Sequence, residues 1–257
     1  MGIEAELKQI SIHTLERLRQ DICLFDHFFE AKWLPKSPAW SNSQASGEFY
    51  EKIKQRTRKR FDRLSLSQTI QRSVKRVFKL REVVDYDWKA LEQQFLQEWE
   101  VPELDLHKHF QQLTFLLAGY IPAYYASGWL LPELEVYSNQ LNKDFLSFLV
   151  VENSEWDNRP LVNAIGAGAE LKYKTGYGPV RYLLPNEIEQ ILNGLLQITE
   201  DGFQERYRQE SKKAVPCPWI DWSDEEMLEY LTDYYTEIVD YYQDAVVNQR
   251  AMLLYLT

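Results

Sequence analysis

Residues 223–256 read SDEEMLEYLTDYYTEIVDYYQDAVVNQRAMLLYL. Leu228, Leu231, Tyr235, Ile238, Tyr242 and Val246 recur three and four residues apart, which predicts one long helix with a single apolar face. Ser223 and Glu226 form a capping box at its start, and the pattern holds to about Val247. Met252 to Leu256 are apolar throughout and too few for a helix, so they read as a closing strand. Near the other end, residues 3–10 alternate apolar and polar, the pattern of a half-buried strand. Two short strands at opposite ends of the chain, with helices between them, predict an α+β fold. In it a small mixed sheet brings both termini together, and helix predominates over strand.

The intervening sequence supplies the helices. Leu15, Leu18, Ile22 and Phe25 share one helical face, and Cys23 falls within that pattern as a small core residue. Asp87 caps a second helix carrying Trp88, Leu91, Phe95, Leu96 and Trp99. Asp105 caps a third, which ends near Gly119. Residues 145–151 and 179–184 read as strands, and Pro185 as the first residue of a helix bearing Ile188, Ile191, Leu192 and Leu195. A single domain spanning 1–257 accommodates all of these, with residues 36–90 as a basic helical insertion.

Charge is unevenly divided. From Lys52 to Arg81 there are twelve Lys/Arg against one acid, Asp62, a local charge of +11. The formal net charge of −10 therefore leaves −21 on the remainder. That excess opposes nucleic acid and anionic membranes as partners. The two charge blocks are expected to lie near one another, within the chain or across a dimer, with Trp88, Phe95 and Trp99 seating the basic insertion. Residues 110–132 carry no charge, but Gly119, Pro122 and Gly128 interrupt them, which argues against a membrane span. The N-terminus has neither a basic n-region nor an apolar h-region, so the expected location is cytoplasmic.

One segment carries a family mark. Gly166-Ala-Gly-Ala-Glu170 is followed by Gly176-Tyr-Gly-Pro-Val-Arg-Tyr-Leu-Leu-Pro185. With Glu229-Tyr-Leu, Tyr234-Tyr and Tyr241-Tyr before the closing strand, the Met-Gly-Ile opening and the helix from Leu106 to Gly119, it resembles the YfbM-like family, a domain of unknown function. The resemblance leaves out roughly residues 36–90. It also departs from the family where a Trp-His pair and a second His are usual, since Phe110, Gln111 and Thr114 stand there. The family has no established activity, so the resemblance implies a fold and no reaction.

Candidate chemistry is sparse. Around the Gly-Tyr-Gly-Pro turn, Gly176 and Gly178 permit positive φ. Tyr177 and Arg181, with Glu170 and Glu152, would line a pocket for an anion or other small molecule, with hydrolysis as one use. The competing reading makes this a tight turn whose Arg181 is paired with an acid. His107 and His109, two apart on a helix, point away from each other and cannot jointly hold a metal, so no metal or other cofactor is expected. Cys217, between Pro216 and Pro218, has no local base to activate it.

The closing helix offers a second candidate. Glu225, Glu229, Asp233, Glu237, Asp240 and Asp244 fall on one face, and no Lys or Arg lies between Asp221 and Asn248 to relieve their repulsion. That stripe is either a solvated face or a surface for positive charge. Two functional classes follow. One is a non-enzymatic interaction protein, self-associating or binding a basic partner, with inhibition of that partner as one use. The other is a small-molecule site at the Gly-Tyr-Gly-Pro turn. Two cysteines make no disulfide framework, so thiol titration of the denatured, unreduced protein is expected to find both Cys23 and Cys217 free.

Overall fold

A computed structural model of the chain describes residues 4–34, 86–118, 120–122, 148–150, 161, 163–166, 168–210 and 225–257. The basic stretch and Cys217 lie outside these residues. The chain divides into two compact units, one of residues 1–15 with 103–257 and one of residues 16–102.

The larger unit is built on a five-stranded sheet. Its strands are β1 (Ala5–Ile10), β2 (Glu103–Asp105), β5 (Ala169–Thr175), β6 (Gly178–Leu183) and β7 (Ala251–Leu256), in the order β2-β1-β7-β6-β5. β3 (Tyr120–Pro122) and β4 (Phe148–Val150) form a separate antiparallel pair. The fold is α+β and helix-rich, and the strands nearest both termini are direct neighbours, with Ala5 opposite Leu256 and Ile10 opposite Ala251. The sheet, however, is antiparallel at each of its four pairings rather than mixed.

Residues on one face of this sheet, Ala5, Leu7, Leu104, Leu183, Met252, Leu254 and Leu256, enter a single core. Four helices supply most of the rest, α4 (Phe110–Ala118), α5 (Pro185–Leu195), α6 (Glu200–Glu210) and α7 (Glu225–Val247), and Leu106, Leu161, Ala164, Ile165 and Ile198 outside these elements complete it. Pro185 opens α5 as expected, and Glu187 turns back to accept the Leu184 N–H at 2.7 Å. α6 was not foreseen. Among its described side chains only Phe203 and Tyr207 are buried hydrophobics, too few to give an apolar periodicity. α4 ends at Ala118, and among the described residues no helix is long and apolar enough to cross a membrane.

β1 departs from the half-buried expectation, because all six of its residues are buried. The polar members of the alternation are satisfied by bonding instead of solvent: Glu6 accepts from the Thr257 hydroxyl at 2.8 Å. β5 also escaped notice. As an edge strand it carries Glu170 and Lys172 on exposed positions, so its apolar content is low.

In the second unit, α2 (Leu24–Ala31) packs on α3 (Trp88–Glu98). The rings of Phe28 and Phe95 meet edge to face at 5.4 Å, and Trp99 Nε1 donates to the Phe28 carbonyl at 2.7 Å. Asp87 caps α3 as expected, accepting from the N–H groups of Lys89 and Ala90. The single N-terminal helix is instead two, α1 (Ile12–Gln20) and α2, broken at Asp21. The Asp21 carboxylate accepts the Cys23 N–H at 3.0 Å, an Asx turn that competes with the helix. The break takes Cys23 off the apolar face, and it is exposed rather than buried.

α7 is tied to the rest of its unit by phenol groups. Tyr242, wholly buried, donates to the Ala164 carbonyl at 2.7 Å. Tyr241 donates to the Leu7 carbonyl at 3.0 Å and accepts the Gln9 N–H at 2.9 Å. Tyr242→Phe strands the Ala164 carbonyl and is expected to cost about 1–3 kcal/mol, read from urea unfolding. Burial holds the Tyr241, Tyr242 and Tyr255 phenols well above their ordinary pKa. The unfolded chain releases those protons first as pH rises, so stability should be intact below about pH 10 and fall above it. Denaturation midpoints across that range check the sign.

Candidate functional site

The hairpin β5–β6 answers the first candidate. Thr175 pairs with Gly178, leaving Gly176 and Tyr177 as a two-residue turn. Only Gly178 has the left-handed geometry expected of both glycines, with φ 152°. A Cβ on Gly176 would meet no heavy atom within 4 Å, so nothing there requires glycine. Tyr177, at the tip, is exposed.

Arg181 sits four residues along β6 from Tyr177, about 13 Å of extended chain. It is 5% exposed. Its guanidinium donates to Glu170 Oε1 at 2.7 Å, across the strand pair, and to the Gly168 carbonyl at 3.1 Å. Gly168 has φ 101°, and a Cβ there would stand 2.6 Å from the Tyr182 carbonyl oxygen, so glycine is obligatory at this position. The hairpin thus brings Arg181 and Glu170 together as an ion pair and keeps Tyr177 apart. Glu152 lies outside the described residues.

The second candidate is laid out along α7. Glu225, Glu229, Asp233, Glu237, Asp240 and Asp244 are all exposed, while Leu228, Leu231, Tyr235, Ile238 and Tyr242 are buried beneath them. The spacing that the apolar residues impose on the helix therefore fixes the carboxylates outward in one stripe. Asn248 donates its amide to Asp244 at 2.9 Å near the helix end.

Beside the start of this stripe is a cluster that sequence reasoning missed. Asp105 does not cap α4 directly. Its carboxylate accepts the His107 N–H at 2.7 Å and opens a 3-10 turn, His107–His109, ahead of α4. The turn presents His109 to Tyr230 and Tyr234, with ring centroids at 5.0 and 6.4 Å. Burial, then the neighbouring His107 and Lys108, hold the His109 imidazole below its ordinary pKa. The Tyr230 and Tyr234 hydroxyls share a hydrogen bond of 2.9 Å. Burial and that bond, with the charges of Asp105 and Glu237 nearby, hold the Tyr234 phenol well above its ordinary range. The i,i+4 spacing of Tyr230 and Tyr234 was visible in the sequence, but the partner histidines come from a different part of the chain.

Removing the buried cation of the hairpin tests its structural weight. Arg181→Ala leaves the Gly168 carbonyl without its donor and is expected to destabilise by about 1–3 kcal/mol. Glu170→Gln keeps an acceptor but takes the counter-charge from a buried guanidinium, so it too should destabilise, by less than Arg181→Ala because the Glu170 side chain is 57% exposed. Urea unfolding of both variants measures the difference.

Comparison with known proteins places part of the chain. Residues 129–255 match the family model of a domain of unknown function, DUF1877. The resemblance carried by Gly166–Pro185, the closing helix and the last strand is thereby met over that stretch. A crystal structure of YfbM from Escherichia coli, a protein of unknown function, aligns with 99% of this chain and 99% of its own, at 8% identity and a TM-score of 0.46. No curated protein matches the chain.

Proposed function

We propose that the protein is a non-enzymatic interaction module whose acidic α7 face receives a basic protein partner. The observation that carries this reading is the stripe itself: six exposed carboxylates on a helix of 23 residues that contains no Lys or Arg. Like charges one turn apart weaken a helix, and packing of the opposite face offsets that cost here. A complementary basic surface would relieve the repulsion and steer association, contributing more to rate and orientation than to affinity. The alternative, an anion or small-molecule site at the hairpin, would need Arg181 to leave both Glu170 and the Gly168 carbonyl.

The test uses an arginine-rich peptide as a probe, followed by fluorescence anisotropy on the full chain. Binding should weaken as salt is raised and should be lost in the triple variant Glu229→Lys, Asp233→Lys, Glu237→Lys. A control with the same charge change on other exposed acids, Glu189→Lys, Asp201→Lys, Glu205→Lys, should retain most of the binding. Equal loss in the two triples would show that only net charge matters and would sink the proposal.

A further inference from the structure

A separate group of donors lies at the margin of the sheet. Glu4 continues β1 backwards, held in place because it exchanges main-chain hydrogen bonds with Thr257, at 3.0 and 2.9 Å. Asp105 ends β2, opposite Glu6 of β1. His107 follows two residues later with a left-handed main chain, φ 47°. Its Nδ1 stands 3.3 Å from Asp105 Oδ2. One oxygen from each acid and one imidazole nitrogen lie within 4.8 Å of one another.

We infer that Glu4, Asp105 and His107 hold a divalent transition-metal ion of the zinc type. A tetrahedral ion about 2.0–2.2 Å from each donor sets the donors roughly 3.4 Å apart. The Asp105–His107 separation of 3.3 Å already matches that distance, and the remaining donors, within 4.8 Å of one another, would close by up to roughly 1.4 Å through side-chain rotation. An ordinary Asp105–His107 ion pair accounts for one carboxylate. It does not account for a second carboxylate, from Glu4, drawn in beside the first, where two like charges repel unless a cation lies between them. The donor set chooses among cations. Calcium and magnesium take oxygen ligands, whereas an imidazole with two carboxylates suits zinc, cobalt or iron. Two carboxylates neutralise the dication, and three protein donors leave a coordination position for water or an incoming ligand.

Spacing within the sequence hides this site. His107 and His109 are the visible pair, and they diverge: His109 turns to Tyr230 while His107 turns to Asp105. The ligand that completes the set is brought from the far end of the chain by the β1–β2 ladder, which no local motif records.

The experiment is calorimetric titration of the chelator-treated full chain with Zn2+, repeated with Co2+ to read its visible absorption. One equivalent should bind. His107→Gln and Glu4→Gln should each lower affinity by more than about tenfold, the scale on which even supporting residues of metal sites act. His109→Gln should bind as the parent does. Glu4→Gln is close to isosteric, so circular dichroism of that variant separates lost ligation from lost folding. Absence of saturable one-to-one binding overturns the inference. So does parental affinity in His107→Gln and Glu4→Gln, or an equal loss in His109→Gln.

Discussion

The central strand of the sheet, β7, pairs on one side with β1 and on the other with β6, and the arrangement depends on that double pairing. Its six residues are all buried, so its backbone groups must be hydrogen-bonded within the sheet. Residue 5 meets residue 256 across the β1–β7 ladder, and closing so long a loop costs entropy that only a cooperative set of contacts returns. β2 and Glu4 take their places through β1, and the β5–β6 hairpin takes its place through β7. The hairpin and the Glu4–Asp105–His107 group therefore inherit their geometry from one strand.

α7 is fastened to this sheet by hydroxyls as much as by apolar contact. Tyr241 bridges a carbonyl and an amide of β1, Tyr242 reaches Ala164, and Tyr235 donates to the carbonyls of Leu195 and Ile198 at the end of α5. A phenol buries a large apolar ring and still satisfies a backbone group at its tip, which a leucine in the same place could not do. The Tyr-Tyr pairs of the sequence thus register the helix against three separate segments. Fixing the inner face in rotation also fixes the outer one, so the carboxylate stripe is as well ordered in direction as the core beneath it.

Much of this was legible in the residues. The apolar spacing of α7, the continuous Ala251–Leu256 strand, Pro185 at a helix start and the Asp87 cap each have a local physical cause, and each is found. The elements missed, β5 and α6, are those with little apolar content of their own. An edge strand and a helix that buries Phe203 and Tyr207 leave weak periodicity. The break at Asp21 was missed for a different reason. Apolar residues continue in helical spacing across it, and only the side-chain bond to Cys23 decides against the helix. Long-range neighbours were beyond any local pattern: spacing alone separates His107 from His109, but nothing in it brings His107 near Glu4.

The Gly-Tyr-Gly-Pro segment shows how a conspicuous motif is absorbed by structure. Gly178 allows the turn, Gly168 allows a close approach to Tyr182, and Arg181 binds the two strands through Glu170 and the Gly168 carbonyl. A guanidinium that is 5% exposed and already engaged by a carboxylate has little left to offer an incoming anion, since leaving that partner would strand a buried charge. The carboxylates of α7 stand in the opposite situation. They are exposed and share one sign, and no Lys or Arg stands on their own helix to offset them. What distinguishes the two regions is therefore not the rarity of their residues but whether a counter-charge stands beside them among the described residues.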